Sequence, residues 1–157
     1  MSRDVYHEMF AHITWHTKCN MRCIVPKMEQ QLYDFIRRRA LAAPGVFVHG
    51  IGGTDDHVHM IARICPTVAI PEWMGKIKGG SAHDINEMPQ WRKSLQWQSG
   101  YGFVMFGMNN LPWVVDYVNR QKEHHRNGTT IDRLERTSDN DETDGSSPDD
   151  DKPVETG

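Results

Sequence analysis

A chain of 157 residues without any apolar run of about 18 is sized for one domain with a single core and offers no membrane-crossing helix. Its formal charge of −3 is unevenly spread: residues 131–157 hold ten acids against three bases, while the rest holds 15 Lys and Arg against 11 Asp and Glu, with all nine histidines. The body is therefore mildly basic, compatible with a polyanionic partner but not specific for one. Three cysteines, Cys19, Cys23 and Cys65, make an odd, sparse set that argues against a secreted disulfide framework. With the charged opening MSRDVYHEMF, which lacks a secretory signal's apolar stretch, they point to a cytoplasmic protein.

In chain order, residues 5–16 alternate apolar and polar side chains with aromatic and β-branched members, the pattern of a strand. Pro26 opens a helix to about Ala42, with Met28, Leu32, Phe35, Ile36 and Ala40 at helical spacing and Arg37, Arg38 and Arg39 near its C-terminal end, where cations suit the dipole. Two strands follow at 46–52 and 57–64, joined through Gly53-Thr54-Asp55-Asp56 in hairpin chemistry. A second helix spans Ile70 to Asn86, weakened in its middle by Gly79-Gly80. One strand or a strand pair covers Leu95 to Phe106. Asn109 or Asn110 then caps a last helix, with Pro112 in its first turn, that stops near Asn127-Gly128.

From about Thr137 the chain turns rich in Asp, Ser, Gly and Pro, so the expected division is a folded domain over 1–135 and a disordered acidic tail over 136–157. Strand, helix, strand, strand, helix, strand, helix is the order of an α+β fold. An antiparallel sheet with helices on one face, ferredoxin-like or RRM-like, is expected.

Chemistry concentrates in two places. On a strand, His57 and His59 of Asp56-His57-Val58-His59-Met60 point to the same face with roughly 6.5–7 Å between their Cα atoms. Two imidazoles so placed can converge on one divalent cation, although the pattern also describes two half-buried strand histidines. On the last helix, Tyr117 and Gln121 stand four residues apart and share a face, with Trp113 and His124 a turn to either side. Tyrosine is a poor nucleophile near neutrality, with a reference pKa of about 10. It becomes plausible against a phosphodiester polarised by His-ligated Mg²⁺ or Mn²⁺, and Gln121 could add its amide oxygen to the metal shell. Lys76 and Lys78 before Gly79-Gly80-Ser81 could contact phosphates, and Trp97, Gln98 and Tyr101 lie in a glycine-punctuated turn whose rings could stack bases.

Five pieces in this order resemble the single-tyrosine HUH transposases of the insertion-sequence-200 type, including the REP-associated tyrosine transposases. They are Ile13-Thr14-Trp15-His16-Thr17-Lys18, Asp56-His57-Val58-His59, Lys78-Gly79-Gly80-Ser81, Trp97-Gln98-Ser99-Gly100-Tyr101-Gly102, and the stretch from Tyr117 through Gln121 to His125. The resemblance implies a ferredoxin-like fold whose C-terminal helix carries the nucleophile, with His57 and His59 as metal ligands, Gln121 as the third and Tyr117 as the nucleophile. It further implies Mg²⁺ or Mn²⁺, a single-stranded DNA substrate in hairpin or repeat-derived form, and a homodimer. The reaction implied is cleavage through a 5′-phosphotyrosine, leaving a 3′-hydroxyl that can rejoin strands.

Two other readings stay open on the residues alone: a non-catalytic domain that binds single-stranded nucleic acid, and a metal-dependent nuclease using activated water. A zinc site from His16, Cys19 and Cys23 has unusual spacing and no evident fourth ligand nearby.

Overall fold

The structure is a computed structural model that describes residues 6–137, so most of the expected acidic tail lies outside the described residues. Four strands, β1 (Phe10–His16), β2 (Phe47–Gly53), β3 (His57–Arg63) and β4 (Gly102–Phe106), form one antiparallel sheet in the order β2-β3-β1-β4. The helices are α1 (Pro26–Leu41), α2 (Ile70–Asn86), α3 (Leu111–Asn119), α4 (Gln121–Asn127) and α5 (Asp132–Glu135). β3 thus lies between its hairpin partner β2 and the first strand β1, and the chain crosses through α2 to place β4 on the far side of β1, the ferredoxin-like arrangement. Among the described residues no helix is long and apolar enough to cross a membrane.

Period-2 alternation sorts the side chains of the central strands. Ala11, Ile13 and Trp15 of β1 and Val58, Met60 and Ala62 of β3 are buried on one face. There they meet Met28, Leu32, Ile36 and Ala40 of α1 and Trp73, Met74, Ile77 and Ile85 of α2. Pro26 at the first position of α1 and Arg38 and Arg39 in its last turn suit the two ends of that helix. The glycine pair does not interrupt α2. A Cβ on Gly80 would stand 2.6 Å from the Arg39 side chain, which crosses from α1 to a two-pronged pair with Asp84 at 3.0 and 2.6 Å.

Helices cover both faces, not the one expected. Ile61 points away from α1 and α2 into a second cluster with Val114, Tyr117 and Val118 of α3 and Leu134 of α5. The physical reason is visible in β3, where six consecutive residues are buried; a strand hidden on both sides needs a layer on each. A side chain on Gly52 of β2 would run into the Val118 carbonyl, so glycine there lets α3 lie directly on the sheet.

Three further expectations change. The last helix is not continuous: Arg120, at φ −113° and ψ 30°, divides α3 from α4. Asn110 precedes α3 without capping it, because its side-chain oxygen accepts the Trp113 indole N–H at 3.0 Å instead. Within 95–106 only β4 is a strand, while Trp97 makes a single bridge to Thr17. The chain beyond α5 stays on the body as far as Thr137, which is buried, and Arg136 passes so close to Gly102 that a side chain there would strike its carbonyl.

Candidate active site and metal centre

The second face of the sheet is polar where the first is apolar. The β1–β3 register pairs Thr14 with His59 and His16 with His57. His12, Thr14, His57 and His59 are all buried on that face, and His57 and His59 are 2% and 0% exposed. Their rings sit 5.0 Å apart, centroid to centroid, on the same face of the sheet.

Each imidazole is oriented through its Nδ1. His57 Nδ1 donates to Asp56 Oδ1 at 2.6 Å, and Thr54 Oγ1 lies 2.8 Å from the same nitrogen. His59 Nδ1 lies 2.7 Å from His12 Nε2, while the His16 ring stacks on His57 at 4.8 Å. These contacts leave both Nε2 atoms facing Glu135, whose Oε2 is 3.4 Å from that of His57 and 3.2 Å from that of His59. Among the described residues neither Nε2 makes a hydrogen bond of good geometry, although both are buried. Glu135 is near enough to both for ion pairing.

Tyr117 reaches the same place from α3. Its hydroxyl donates to Glu135 Oε1 at 2.5 Å and accepts from the Ile131 N–H at 2.9 Å. Its ring stands edge-on to His59 and tilts against His124. Gln121, the first residue of α4, is buried. Its Nε2 donates to the Tyr117 carbonyl at 3.1 Å, and its Oε1 is 3.1 Å from His125 Nε2. Ligand atoms of His57, His59, His125 and Glu135 lie within 4.8 Å of one another, a group able to hold a metal ion. Two buried imidazole nitrogens facing one carboxylate fit a divalent cation of borderline or hard character.

The charges in the site are strongly coupled. Burial pushes the His59 imidazole down to about 4 and that of His12 down to about 3. Burial also opposes the charged form of His57, but Asp56 and Glu135 outweigh it and hold that ring up at about 9. Burial disfavours the Glu135 carboxylate as well, yet the His57 and His59 imidazoles beside it keep its carboxyl well below the usual range. Tyr117 is pushed up to about 12, by burial first and then by the Glu135 hydrogen bond.

The expected DNA contacts fall in different places. Lys78 Nζ donates to the carbonyls of Gln98 and Gly100, each at 2.7 Å, and so clips the glycine-punctuated turn. Ser81 is fully buried and accepts the Trp97 indole N–H at 3.2 Å, while Trp97 rests edge-on against Trp15. Lys78, Trp97 and Gln98 line an open cleft of about 550 Å³. Tyr101 lines another, of about 440 Å³, with Arg133 and Arg136. Lys76 is exposed on α2, in a third cleft beside Arg39.

Sequence reasoning left His12, Thr54, His125 and Glu135 without a role. His12 carried a signal, since it alternates in phase with Thr14 and His16 along β1. Glu135 carried none, because nothing local relates a four-residue helix to a strand far upstream.

A family model described as "Transposase IS200 like" matches residues 5–121. The ISDra2 transposase TnpA of Deinococcus radiodurans is 25% identical over 126 residues, covering 77% of this chain and 89% of that protein. The transposase for insertion sequence element IS200 of Salmonella typhimurium is 26% identical over 134 residues, covering 77% and 87%. Among solved structures, a candidate transposase from Deinococcus radiodurans R1 superposes with TM-score 0.58 at 21% identity, over 75% of this chain and 94% of that one. A REP-associated tyrosine transposase bound to a REP hairpin superposes with TM-score 0.57 at 15% identity, over 83% and 75%. By the family model's match over most of its length, the chain belongs to the IS200-like transposase family.

Proposed function

We propose that this protein cleaves and rejoins single-stranded DNA during transposition, with Tyr117 as the nucleophile and a Mg²⁺ or Mn²⁺ ion on His57 and His59. One observation carries the reading: the Tyr117 hydroxyl and the two imidazole Nε2 atoms converge on the same carboxylate, Glu135. Binding alone requires no such convergence, and a water-activating nuclease does not require the tyrosine.

Held there, a divalent cation would supply positive charge to orient and neutralise the scissile phosphate. The chain does the rest. Asp56 and Thr54 orient His57, and His12 orients His59. Tyr117, fixed by Ile131 N–H and Glu135, attacks phosphorus through its oxygen. The new bond is a 5′-phosphotyrosine, the broken bond is P–O3′, and the proton shed by the Tyr117 hydroxyl ends on the departing strand's 3′-oxygen, leaving a 3′-hydroxyl. Attack by a 3′-hydroxyl on the phosphotyrosine reverses the step, so joining needs no outside energy source. Gln121, the third ligand implied by resemblance, serves the shell by its Oε1 or through His125, to which that oxygen is 3.1 Å away.

The substrate we propose is a hairpin or repeat-derived single strand. Lys76 meets phosphates. Lys78 and Ser81 shape the turn that presents Trp97, Gln98 and Tyr101 to bases. The working assembly is a cytoplasmic homodimer, checked by light scattering at micromolar concentration.

The test is incubation with labelled single-stranded DNA from the flanks of its own gene, with Mn²⁺, followed by a denaturing gel. A labelled protein band that needs metal and is lost in Tyr117→Phe supports the proposal. Cleavage that persists in Tyr117→Phe without any adduct overturns it in favour of a nuclease.

A further inference from the structure

Glu135 stands on α5, beyond residue 121 where the family match ends. Its two oxygens face different groups. Oε2 meets the Nε2 atoms of His57 and His59 at 3.4 and 3.2 Å, while Oε1 accepts the Tyr117 hydroxyl and lies 3.4 Å from His125 Nε2. Two ligand atoms bonded to one ion at about 2.1 Å, and separated by a tetrahedral or octahedral angle, stand about 3.0–3.4 Å apart. The Oε2 spacings fall in that range, and among the described residues neither imidazole Nε2 has another hydrogen-bond partner.

The carboxylate is also held firmly. Leu134 beside it is buried in the second core cluster, and the Ile131 N–H bonds Tyr117. Arg133 donates to the Met105 carbonyl at 3.1 Å, and Arg136 presses against Gly102. A ligand fixed on both sides in this way loses little freedom on engaging an ion.

We infer that Glu135 is a further protein ligand of the divalent cation beside His57 and His59, through Oε2, and that Oε1 of the same carboxylate positions the Tyr117 hydroxyl. One side chain then ties the ion to the nucleophile. The inference rests on the proposed tyrosine chemistry and deepens it. Two imidazoles and one anionic oxygen also leave a divalent ion with positive charge to offer a phosphate, and suit Mn²⁺ better than Mg²⁺.

The test uses the full chain without DNA, with bound Mn²⁺ followed by electron paramagnetic resonance of the free ion. Glu135→Gln should weaken Mn²⁺ binding by at least about tenfold. Glu135→Asp, which keeps the charge but draws it back, should fall between wild type and Glu135→Gln, and it serves if the glutamine variant does not fold. Tyr117→Phe should bind Mn²⁺ like wild type. At saturating Mn²⁺, Glu135→Gln should form the covalent adduct at least about tenfold more slowly.

Unchanged Mn²⁺ affinity in Glu135→Gln would overturn the ligand assignment. Faster adduct formation in Glu135→Gln would overturn the positioning role, since the carboxylate would then be restraining the tyrosine. His59→Ala binding Mn²⁺ like wild type, or an adduct in Tyr117→Phe, would instead sink the underlying reading of the site.

Discussion

His12 Nε2 lies 2.7 Å from His59 Nδ1, an imidazole pair buried between β1 and β3. If His59 offers Nε2 to a metal, its proton sits on Nδ1 and His12 Nε2 must accept it. His12 thereby fixes the tautomer and the ring orientation of its neighbour. His12→Phe removes the acceptor while keeping a ring, and strands a buried N–H at a cost of about 1–3 kcal/mol. Mn²⁺ affinity measured by calorimetry should fall about 10–100-fold.

The metal-free protein should be most stable near pH 6.5. His12 and His59 are depressed to about 3 and about 4, so their contribution is full above the ordinary histidine value and is lost as pH falls through the folded values. Glu135, also depressed, adds loss below the usual carboxylate range. His57, raised to about 9, acts oppositely: its contribution is full below the ordinary value and is lost as pH rises through 9. Thermal unfolding in EDTA between pH 4 and 9 should trace that maximum, and a midpoint flat across this window would contradict the charge arrangement.

Metal binding at pH 7 should release close to one proton. His57 carries a proton in the metal-free site, with its pKa up at about 9, and an imidazolium cannot ligate. Apparent affinity should therefore climb with pH from 7 to 9 and level off above. Calorimetry in two buffers of different ionisation enthalpy gives the proton count directly.

Lys78→Met should weaken DNA binding through shape. The ammonium group clips two carbonyls of the 98–100 turn, and hydrogen bonds to a charged donor are each worth about 1.5–3 kcal/mol. A reduced melting temperature should accompany the loss of affinity. Lys76→Met should lower affinity without affecting melting, and should flatten its salt dependence.

Gly52→Ala should displace the tyrosine helix. The added methyl collides with the Val118 carbonyl, which is backbone and cannot swing aside. Overpacking of this kind costs about 1–3 kcal/mol. Adduct formation should drop with Mn²⁺ affinity at His57 and His59 largely kept, because α3 moves and the β-sheet does not.

Much of this arrangement is legible in the residues. The alternation along β1 and β3 yields both faces of the sheet, and the His57–His59 pair follows from strand geometry alone. The stripe of Met28, Leu32, Ile36 and Ala40 identifies α1 and its buried side. What is not legible depends on partners distant in the chain. Helical periodicity runs through Arg120 unbroken, so the division of α3 from α4 shows only in the backbone angles. Ser81 and Lys78 carry groups suited to phosphate, and only the folded turn reveals that Trp97 and two carbonyls engage them. The second helical layer was hidden because a strand buried on both faces and one buried on a single face differ by a few polar residues, here histidines that the site itself requires.

The placement of Glu135 sets an order on the protein's own biosynthesis. At about 5–20 residues per second, a ribosome completes the β3 histidines several seconds before it adds this glutamate, and Tyr117 also precedes it. The sheet and its histidine face are thus made while their carboxylate partner does not yet exist. A nascent chain at that stage holds imidazoles and a tyrosine without the group that joins them, and the cluster is complete only when α5 folds back across β4.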